Sequence, residues 1–134
     1  MTDPITLDAG ALVAVDRGEH ATWSDLKTMV RAGSIPVIPT PVVVQTWRGA
    51  RQGRLGQLLR LCHVEPLDET TARRAGELCG RAGTADPVDA VVIVSASRRG
   101  GIVLTSDAGD LARLVSHLGP GHRPLAVRDV ASAK

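Results

Sequence analysis

Three aspartates from distant parts of the chain have the residue type and the position that suit metal chemistry. Asp8 follows the apolar run ITL, Asp107 follows the run IVLT and the hydroxyl of Ser106, and Asp89 lies in the first turn of a helical pattern. If both runs are parallel strands, all three carboxylates lie at the carboxyl edge of one sheet, where α/β proteins bind ligands. Because carboxylates repel one another, such a cluster favours a shared hard cation such as Mg²⁺ or Mn²⁺.

Each acid near these positions also has a structural interpretation. Asp86 precedes Pro87, which predicts that Asp86 is the N-cap of the following helix. Asp107 can cap a helix in the same way, and Asp110 is either a solvated first-turn acid or an outer-shell residue of the metal site. For Asp89 we favour metal binding, because the helix that it opens is largely apolar and a carboxylate on a buried helix needs a partner.

The remaining candidates lie beside these acids. Asp8 offers no capping advantage over Asn or Ser, so its position at a strand end favours metal binding. Thr105 and Ser106 supply hydroxyls beside Asp107. We predict that either hydroxyl orients a metal ligand or the attacking water from an outer shell.

The elements that must position these residues are predicted from apolar periodicity. Strands are predicted at ITL (Ile5–Leu7), IPVI (Ile35–Ile38), IVLT (Ile102–Thr105) and PLAV, with HVEPL as a weak edge strand because it contains proline. Helical patterns cover AGALVAVDRGE, ATWSDLKTMVRAG, TPVVVQTWRGAR with Thr40 as its N-cap, LGQLLRLC, DETTARRAGELCGRAG, ADPVDAVVIVSASRRGG and DLARLVSHLG. The alternation predicts an α/β fold, with one domain over residues 1–134 and a parallel sheet that has helices on both faces.

The composition limits the classes of protein to consider. With 134 residues, 43% of them hydrophobic and 22% charged, the chain has the balance of a globular domain. A formal charge of +2 is too small to indicate nucleic-acid binding by itself. No apolar run approaches the roughly 18 residues of a membrane span, and MTDPITLDAG lacks the basic start of a signal peptide, so we expect a cytoplasmic protein with no membrane contact. Cys62 and Cys79 are predicted to be buried thiols.

Other strand-end aspartate chemistries require a lysine. Phosphoacceptor receiver domains and haloacid-dehalogenase-type phosphatases both need one after a later strand, and a P-loop needs one in its motif. The chain has only Lys27 and Lys134, and neither is suitably placed. The segment LDAG also lacks the second aspartate of the phosphatase motif. These classes are therefore excluded.

The segments ITLDAGALVAV, DAVVIVSASRRGG and IVLTSDAGDLARL, in this order and spacing, resemble the PIN-domain ribonucleases, in particular the VapC toxins of bacterial toxin–antitoxin pairs. The resemblance extends from Ile5 to Val127. It implies a three-layer α/β/α sandwich around a mostly parallel sheet, a Mg²⁺ or Mn²⁺ site and hydrolysis of RNA phosphodiester bonds. It also implies a homodimer that a small cognate antitoxin holds inactive.

Carried over residue by residue, the family's acids match Asp8, Asp89 and Asp107. The family usually has a glutamate in the helix after the second strand, where this chain has Gln45. An amide oxygen can accept a hydrogen bond or ligate a metal, but it carries no charge to hold one. The alternative is therefore a catalytically weakened PIN scaffold that binds RNA or protein, and Asp86 or Asp110 can compensate for the missing charge.

Basic residues near the end of that helix can draw RNA to an acidic site. Three arginines recur every three residues here: Arg48, Arg51 and Arg54. Two interpretations explain them equally well, namely contact with RNA phosphates and a helix face exposed to solvent. Arg98 and Arg99 end the helix that Asp89 opens, where complementing the helix dipole explains them better.

Overall fold

The central sheet is parallel throughout. The structure is a computed structural model and describes residues 3–83 and 86–130. Within these ranges five strands lie in the order β3-β2-β1-β4-β5, and every neighbouring pair is parallel. The strands are β1 (Ile5–Leu7), β2 (Val37–Pro39), β3 (His63–Glu65), β4 (Gly101–Thr105) and β5 (Leu125–Asp129). The predicted parallel sheet is confirmed.

The strands β2 and β3 differ slightly in their bounds from the predicted ones. The second was predicted over Ile35–Ile38 but lies two residues later, because Ile35 is 62% exposed and pairing begins at Val37, opposite Thr6 of β1. The segment HVEPL forms β3 at one edge of the sheet, and the strand stops before its proline. A proline has no N–H to donate to a neighbouring strand, which agrees with the predicted edge position.

Helices cover both faces of the sheet, so the predicted three-layer α/β/α arrangement is confirmed. The described residues form α1 (Ala9–Asp16), α2 (His20–Arg31), α3 (Thr40–Thr46), α4 (Gly53–Leu61), α5 (Glu69–Ala82), α6 (Pro87–Arg99) and α7 (Ala108–Ser116). Helix α1 packs with α2, α3 and α4, whereas α6 packs with α5 and α7. Ala85, where the predicted sixth helical pattern begins, lies outside the described residues. In the described part of the chain, no helix has the length and apolar character needed to cross a membrane.

The start of α3 differs from the prediction. Thr40 is the first helical residue, and Pro39 occupies the cap position. The Thr40 hydroxyl oxygen instead accepts a hydrogen bond from the Leu67 N–H at 3.2 Å. Thr40 therefore ties the beginning of α3 to the segment that follows β3, a contact between residues 27 positions apart.

Helix α6 is the most deeply buried helix that the structure describes. Every residue from Ala90 to Ala96 is buried, because α6 lies between the sheet and helices α5 and α7. The core around it is built from Leu, Val, Ile and Ala, and both tryptophans, Trp23 and Trp47, are partly buried against it. Burial on all sides fixes the axis of α6, and with it the position of its first turn.

Glu65 of β3 anchors the other end of α6. Its carboxylate pairs with Arg98 at 3.1 Å and with Arg99 at 2.8 Å, and it accepts a hydrogen bond from Ser95 at 2.6 Å. Arg99 also donates to the Thr6 hydroxyl in β1. The interpretation of both arginines as helix-dipole partners is therefore incomplete, because they cross-link α6 to two strands.

The two cysteines are free thiols. Both are partly rather than fully buried, which corrects the predicted full burial of Cys62 and Cys79. Burial nevertheless raises the pKa of Cys62 to about 12. Because the thiolate is the reactive form, this shift disfavours reaction of Cys62 near neutral pH.

Gly101 is required where the chain enters β4. Its φ is +86°, and a Cβ placed there would lie 2.1 Å from the Pro4 carbonyl oxygen. We expect Gly101→Ala to lower the free energy of unfolding by about 1–3 kcal/mol, because it combines backbone strain with a clash against the main chain. Gly76→Ala in α5, where a Cβ meets no atom within 4 Å, should raise it by about 0.5–1 kcal/mol. Urea denaturation measures both changes, and a Gly101→Ala protein as stable as the wild type would contradict the prediction.

Candidate active site

Asp8 and Asp107 lie at the carboxyl ends of adjacent strands. Strand β1 pairs with β4 in the register Leu7 opposite Leu104, and the Asp8 N–H donates to the Leu104 carbonyl at 3.1 Å. Asp107 lies two residues beyond the end of β4, where it begins helix α7. Asp89 approaches the same region from the first turn of α6.

The Asp8 carboxylate is buried and forms hydrogen bonds with the backbone of α1 and with the Thr105 side chain. It is only 5% exposed, and its carboxylate accepts a hydrogen bond from the Ala11 N–H at 3.2 Å, so Asp8 is the N-cap of α1. Asp8 therefore has a capping role that its position at a strand end did not predict. Burial raises the pKa of Asp8, as does the charge of Asp107, whereas hydrogen bonds from Thr105 and the backbone act in the opposite direction.

Asp89 has the most perturbed acid–base equilibrium of the three. Burial first, and then the neighbouring carboxylates of Asp86 and Asp8, together raise its pKa to about 7. Asp86 accepts a hydrogen bond from the Asp89 N–H at 3.1 Å, which confirms Asp86 as the N-cap of α6. Without a cation, a large fraction of the molecules therefore carries a protonated Asp89 at neutral pH.

Asp107 and Asp110 form an exposed pair at the start of α7. Asp107 is the N-cap, and its carboxylate accepts from the Asp110 N–H at 3.5 Å. The pKa of Asp110 is raised, first by a hydrogen bond with the Asp107 carboxylate and then by its negative charge. The negative charge of Asp107 therefore acts on Asp110, which lies one helical turn away.

The turn after β4 connects Asp8 with Asp107. The buried Thr105 hydroxyl hydrogen-bonds with the Asp8 carboxylate and accepts from the Asp107 N–H at 2.9 Å. Ser106 is exposed, and it lies against Gly10 so closely that a Cβ at Gly10 would be 2.1 Å from the Ser106 hydroxyl oxygen. The sequence reasoning missed Gly10, although a glycine two residues after a strand-end aspartate indicates a close approach of this kind.

A cavity of about 190 Å³ opens beside the acids. It is lined by Asp86, Asp89, Asp110, Arg113, Ala82 and Leu114. In residues 3–83 and 86–130, no group of three or more His, Cys, Asp or Glu side chains is arranged to hold a metal ion. The oxygen donors and the repulsion that raises the pKa of Asp89 nevertheless suit a divalent cation, which favours ionised carboxylates. By charge and donor type the acids fit the implied ion.

The other predicted residues lie on and after α3. Gln45 is exposed, and within the described ranges its side chain forms no hydrogen bond with the acids. The Arg48 guanidinium donates to the carbonyl oxygens of Val44, Trp47 and Gln45, so that it satisfies the end of α3. Arg51 is exposed. The proposed roles of Gln45 at the metal and of Arg48 and Arg51 toward RNA stay predictions.

Comparison with known families identifies the fold. The family model of the PIN domain matches residues 5–115. The chain belongs to the PIN domain family. Membership implies nuclease activity in general, and PIN domains generally use divalent metal ions. The resemblance seen in the sequence is therefore confirmed for the family.

Solved structures agree with this assignment, although no curated protein sequence matches the chain. A DNA-bound VapBC from Salmonella typhimurium has a TM-score of 0.70 and 16% identity, over 98% of this chain and 100% of that one. VapBC2 from Rickettsia felis bound to a promoter DNA fragment has a TM-score of 0.68 and 13% identity, over 93% and 98%. PAE2754 from Pyrobaculum aerophilum has a TM-score of 0.62 and 15% identity, over 96% and 84%. At such identities these likenesses show a shared fold.

The raised pKa of Asp89 predicts how stability depends on pH in metal-free protein. Between about pH 4 and pH 7 the unfolded chain ionises Asp89 while the folded protein keeps the proton, so the free energy of unfolding falls as pH rises. Between pH 5 and pH 7.5 we expect the free energy of unfolding to fall by about 1–2 kcal/mol more in the wild type than in Asp89→Asn. This figure is smaller than the full pKa shift would give, because solvent screens the partly exposed carboxylate. Urea unfolding in EDTA at both pH values measures the difference. Identical pH dependence in the two proteins would show that Asp89 ionises normally.

Proposed function

We propose that this chain is a metal-dependent endoribonuclease that hydrolyses RNA phosphodiester bonds and acts as the toxin of a toxin–antitoxin pair. The observation that carries the proposal is the placement of the acids at one sheet edge of a PIN domain, where Asp8 and Asp107 follow the paired strands β1 and β4 and Asp89 lies in the first turn of α6. The pKa of Asp89, raised to about 7 by burial and by Asp86 and Asp8, agrees with it. Repulsion among part-buried carboxylates lowers the stability of the metal-free fold, whereas a cation-binding site needs such a cluster.

In this proposal Asp8, Asp89 and Asp107 hold Mg²⁺ or Mn²⁺. A divalent cation at such a site supplies charge neutralisation at the phosphate and acidifies the attacking water. The protein contributes orientation: Asp8 is fixed by the Ala11 N–H, and Thr105 joins Asp8 to the backbone of Asp107. No side-chain nucleophile is required.

Accessibility of the acids differs in a way that suits a polymeric substrate. Asp8 is buried beneath the sheet edge, Asp89 is partly exposed, and Asp107 is exposed. Thr105 and Ser106 remain outer-shell candidates, as do Asp86 and Asp110. The graded exposure allows the backbone of an RNA strand to approach the acids from the Asp107 side.

The partners in this proposal come from the likeness to toxin–antitoxin structures. Neighbours in fold include VapBC and FitAB, each solved with DNA, and the first VapBC likeness spans 98% of this chain. We therefore propose a cognate antitoxin as protein partner, a homodimeric toxin, and a cytoplasmic location. Co-purification with the product of a neighbouring short reading frame tests the antitoxin directly.

Two observations favour a second candidate, a binding module without strong catalysis. Gln45 stands where the family usually has a glutamate, and the side chains that the structure describes form no ready metal-holding group. Binding of RNA or protein would then persist without any divalent cation. Cleavage that depends on the cation and on the acids separates the two candidates.

Asparagine variants of the three acids test the activity. Asp8→Asn, Asp89→Asn and Asp107→Asn should each lower the rate of RNA cleavage in Mg²⁺ or Mn²⁺ by about 10²-fold or more, because each removes a charged ligand. Asp25→Asn, which changes an exposed acid on α2, is the matched control and should keep full activity. Cleavage of a labelled RNA, with and without EDTA, is the measurement. Wild-type rates in all three variants would overturn the roles assigned to the acids, and a wild type that does not cleave RNA in either cation would leave only the binding-module candidate.

Gln45→Glu tests the departure from the family pattern. If Gln45 faces the metal, the added charge should tighten metal binding and raise the cleavage rate at limiting Mg²⁺, while the metal-free protein loses stability through repulsion. Paired Mg²⁺ titrations of thermal stability and of RNA cleavage measure both effects. Gln57→Glu, an exposed position on α4, controls for the added charge alone. Curves that coincide with those of wild type would assign the fourth position to Asp86 or Asp110.

A further inference from the structure

A second, larger cavity lies at the opposite end of α6 from Asp89. Its volume is about 500 Å³, within the range of roughly 300–1,000 Å³ that ligand sites occupy. It is bordered by α5, by the last turns of α6 and by the segment 118–123 that follows α7. We call this cavity the basic groove, because its lining includes four arginines and a single acid, with one histidine beside them: Arg74, Arg81, Arg98, Arg123, Glu77 and His122.

The charge of the basic groove is a local concentration. The chain carries 16 lysines and arginines against 14 acids, so its formal charge is only +2. Four of the 16 line this groove, against one acid. These arginines come from three separate parts of the chain, and only the tertiary fold brings them together.

The arginines differ in how much of their hydrogen-bonding capacity the fold already uses. Arg98 donates to Thr71 and Glu65, and Arg81 donates through Nε to the His117 carbonyl oxygen at 3.1 Å. The side chains of Arg74 and Arg123, in contrast, form no hydrogen bond or ion pair with any residue that the structure describes. Two guanidinium groups are therefore left for a ligand, beside two that are held in place.

The wall that carries Arg123 is fixed to α6. The Arg123 N–H donates to the Ser97 carbonyl at 3.2 Å, and a Cβ built at Gly100 would lie 3.0 Å from the Arg123 Cβ. The segment therefore presents Arg123 from a backbone that the end of α6 holds. A guanidinium group that is free to pair and is carried on a held backbone suits phosphate, whose oxygens accept paired N–H bonds.

We propose that the basic groove binds the phosphate backbone of single-stranded RNA, without reading its sequence, and holds the part of the strand that flanks the cleavage position. This inference rests on the proposed function for its substrate class. Among the described residues that line the groove there is no Phe, Tyr or Trp and one imidazole, His122, so contacts to phosphate dominate over stacking of bases.

The relation of the groove to the acids supports one continuous path. Asp89 and Arg98 lie nine positions apart on α6, which corresponds to a rise of about 14 Å along the helix axis. A single-stranded RNA covers this distance in a few nucleotides. Arg113 lines the cavity beside Asp89 and donates to the Ala82 carbonyl oxygen at 2.7 Å. Arg81, the residue before Ala82 in the chain, lines the basic groove. Both cavities thus lie along the same layer of helices.

The test measures binding apart from cleavage. A fluorescent single-stranded RNA is titrated with the full chain in EDTA, where the metal site is inactive, at several salt concentrations. The double variant Arg74→Gln/Arg123→Gln should bind about tenfold more weakly. The slope of the logarithm of its binding constant against the logarithm of salt concentration should become shallower by about 1.4, which is about 0.7 for each lost phosphate contact. Arg73→Gln, on α5 in an exposed pair with Glu69, is the matched control and should bind like the wild type.

The outcomes separate this inference from the proposed function. Unchanged RNA affinity and salt dependence in the double variant would overturn the groove assignment, even if the wild type cleaves RNA in Mg²⁺. Weakened binding in a protein that never cleaves would support the groove and overturn the nuclease proposal. If polyglutamate binds as tightly as RNA, and the double variant loses both, the groove is a site for an acidic protein segment and the assignment to RNA is wrong.

Discussion

Repulsion among carboxylates at the carboxyl edge of the sheet is the constraint on which the site depends. Asp89 remains beside Asp8 and Asp86, although burial and these neighbours raise its pKa to about 7. A chain could relieve this repulsion by turning one side chain into solvent. Here the burial of α6 on all sides and the ion pairs of Glu65 at its far end fix the helix that carries Asp89. The fold therefore supports an arrangement of charge that is unfavourable without a cation.

The acids are tolerated partly because they serve the fold as well. Asp8, Asp86 and Asp107 are the N-caps of α1, α6 and α7, so three helix N-termini point toward the same region. Each carboxylate satisfies a free N–H group, and the positive ends of the helix dipoles partly offset the accumulated negative charge. Capping and metal binding are therefore compatible roles of one carboxylate, and evidence for the first does not argue against the second.

Charge in the α5–α6–α7 layer is divided between its two ends. Carboxylates gather around the start of α6, and arginines gather around its end. An acidic site repels a polyanion, so a nuclease of this kind needs a separate basic surface nearby to hold its substrate. The nearly balanced formal charge of the chain hides this division, because net charge contains no information about position.

Local sequence signals predict the helices and strands, and they place the three acids at the ends of these elements. Apolar periodicity predicts every strand of the sheet to within two residues, and the Asp86-Pro87 pair predicts the start of α6, because these signals are local. The ion pairs of Glu65 with Arg98 and Arg99 join residues more than 30 positions apart, and no local signal predicts them. The basic groove likewise forms only when the chain folds. Such contacts depend on how helices pack across the sheet. Packing brings together side chains whose separation along the chain carries no periodic signal, so only the folded chain reveals them.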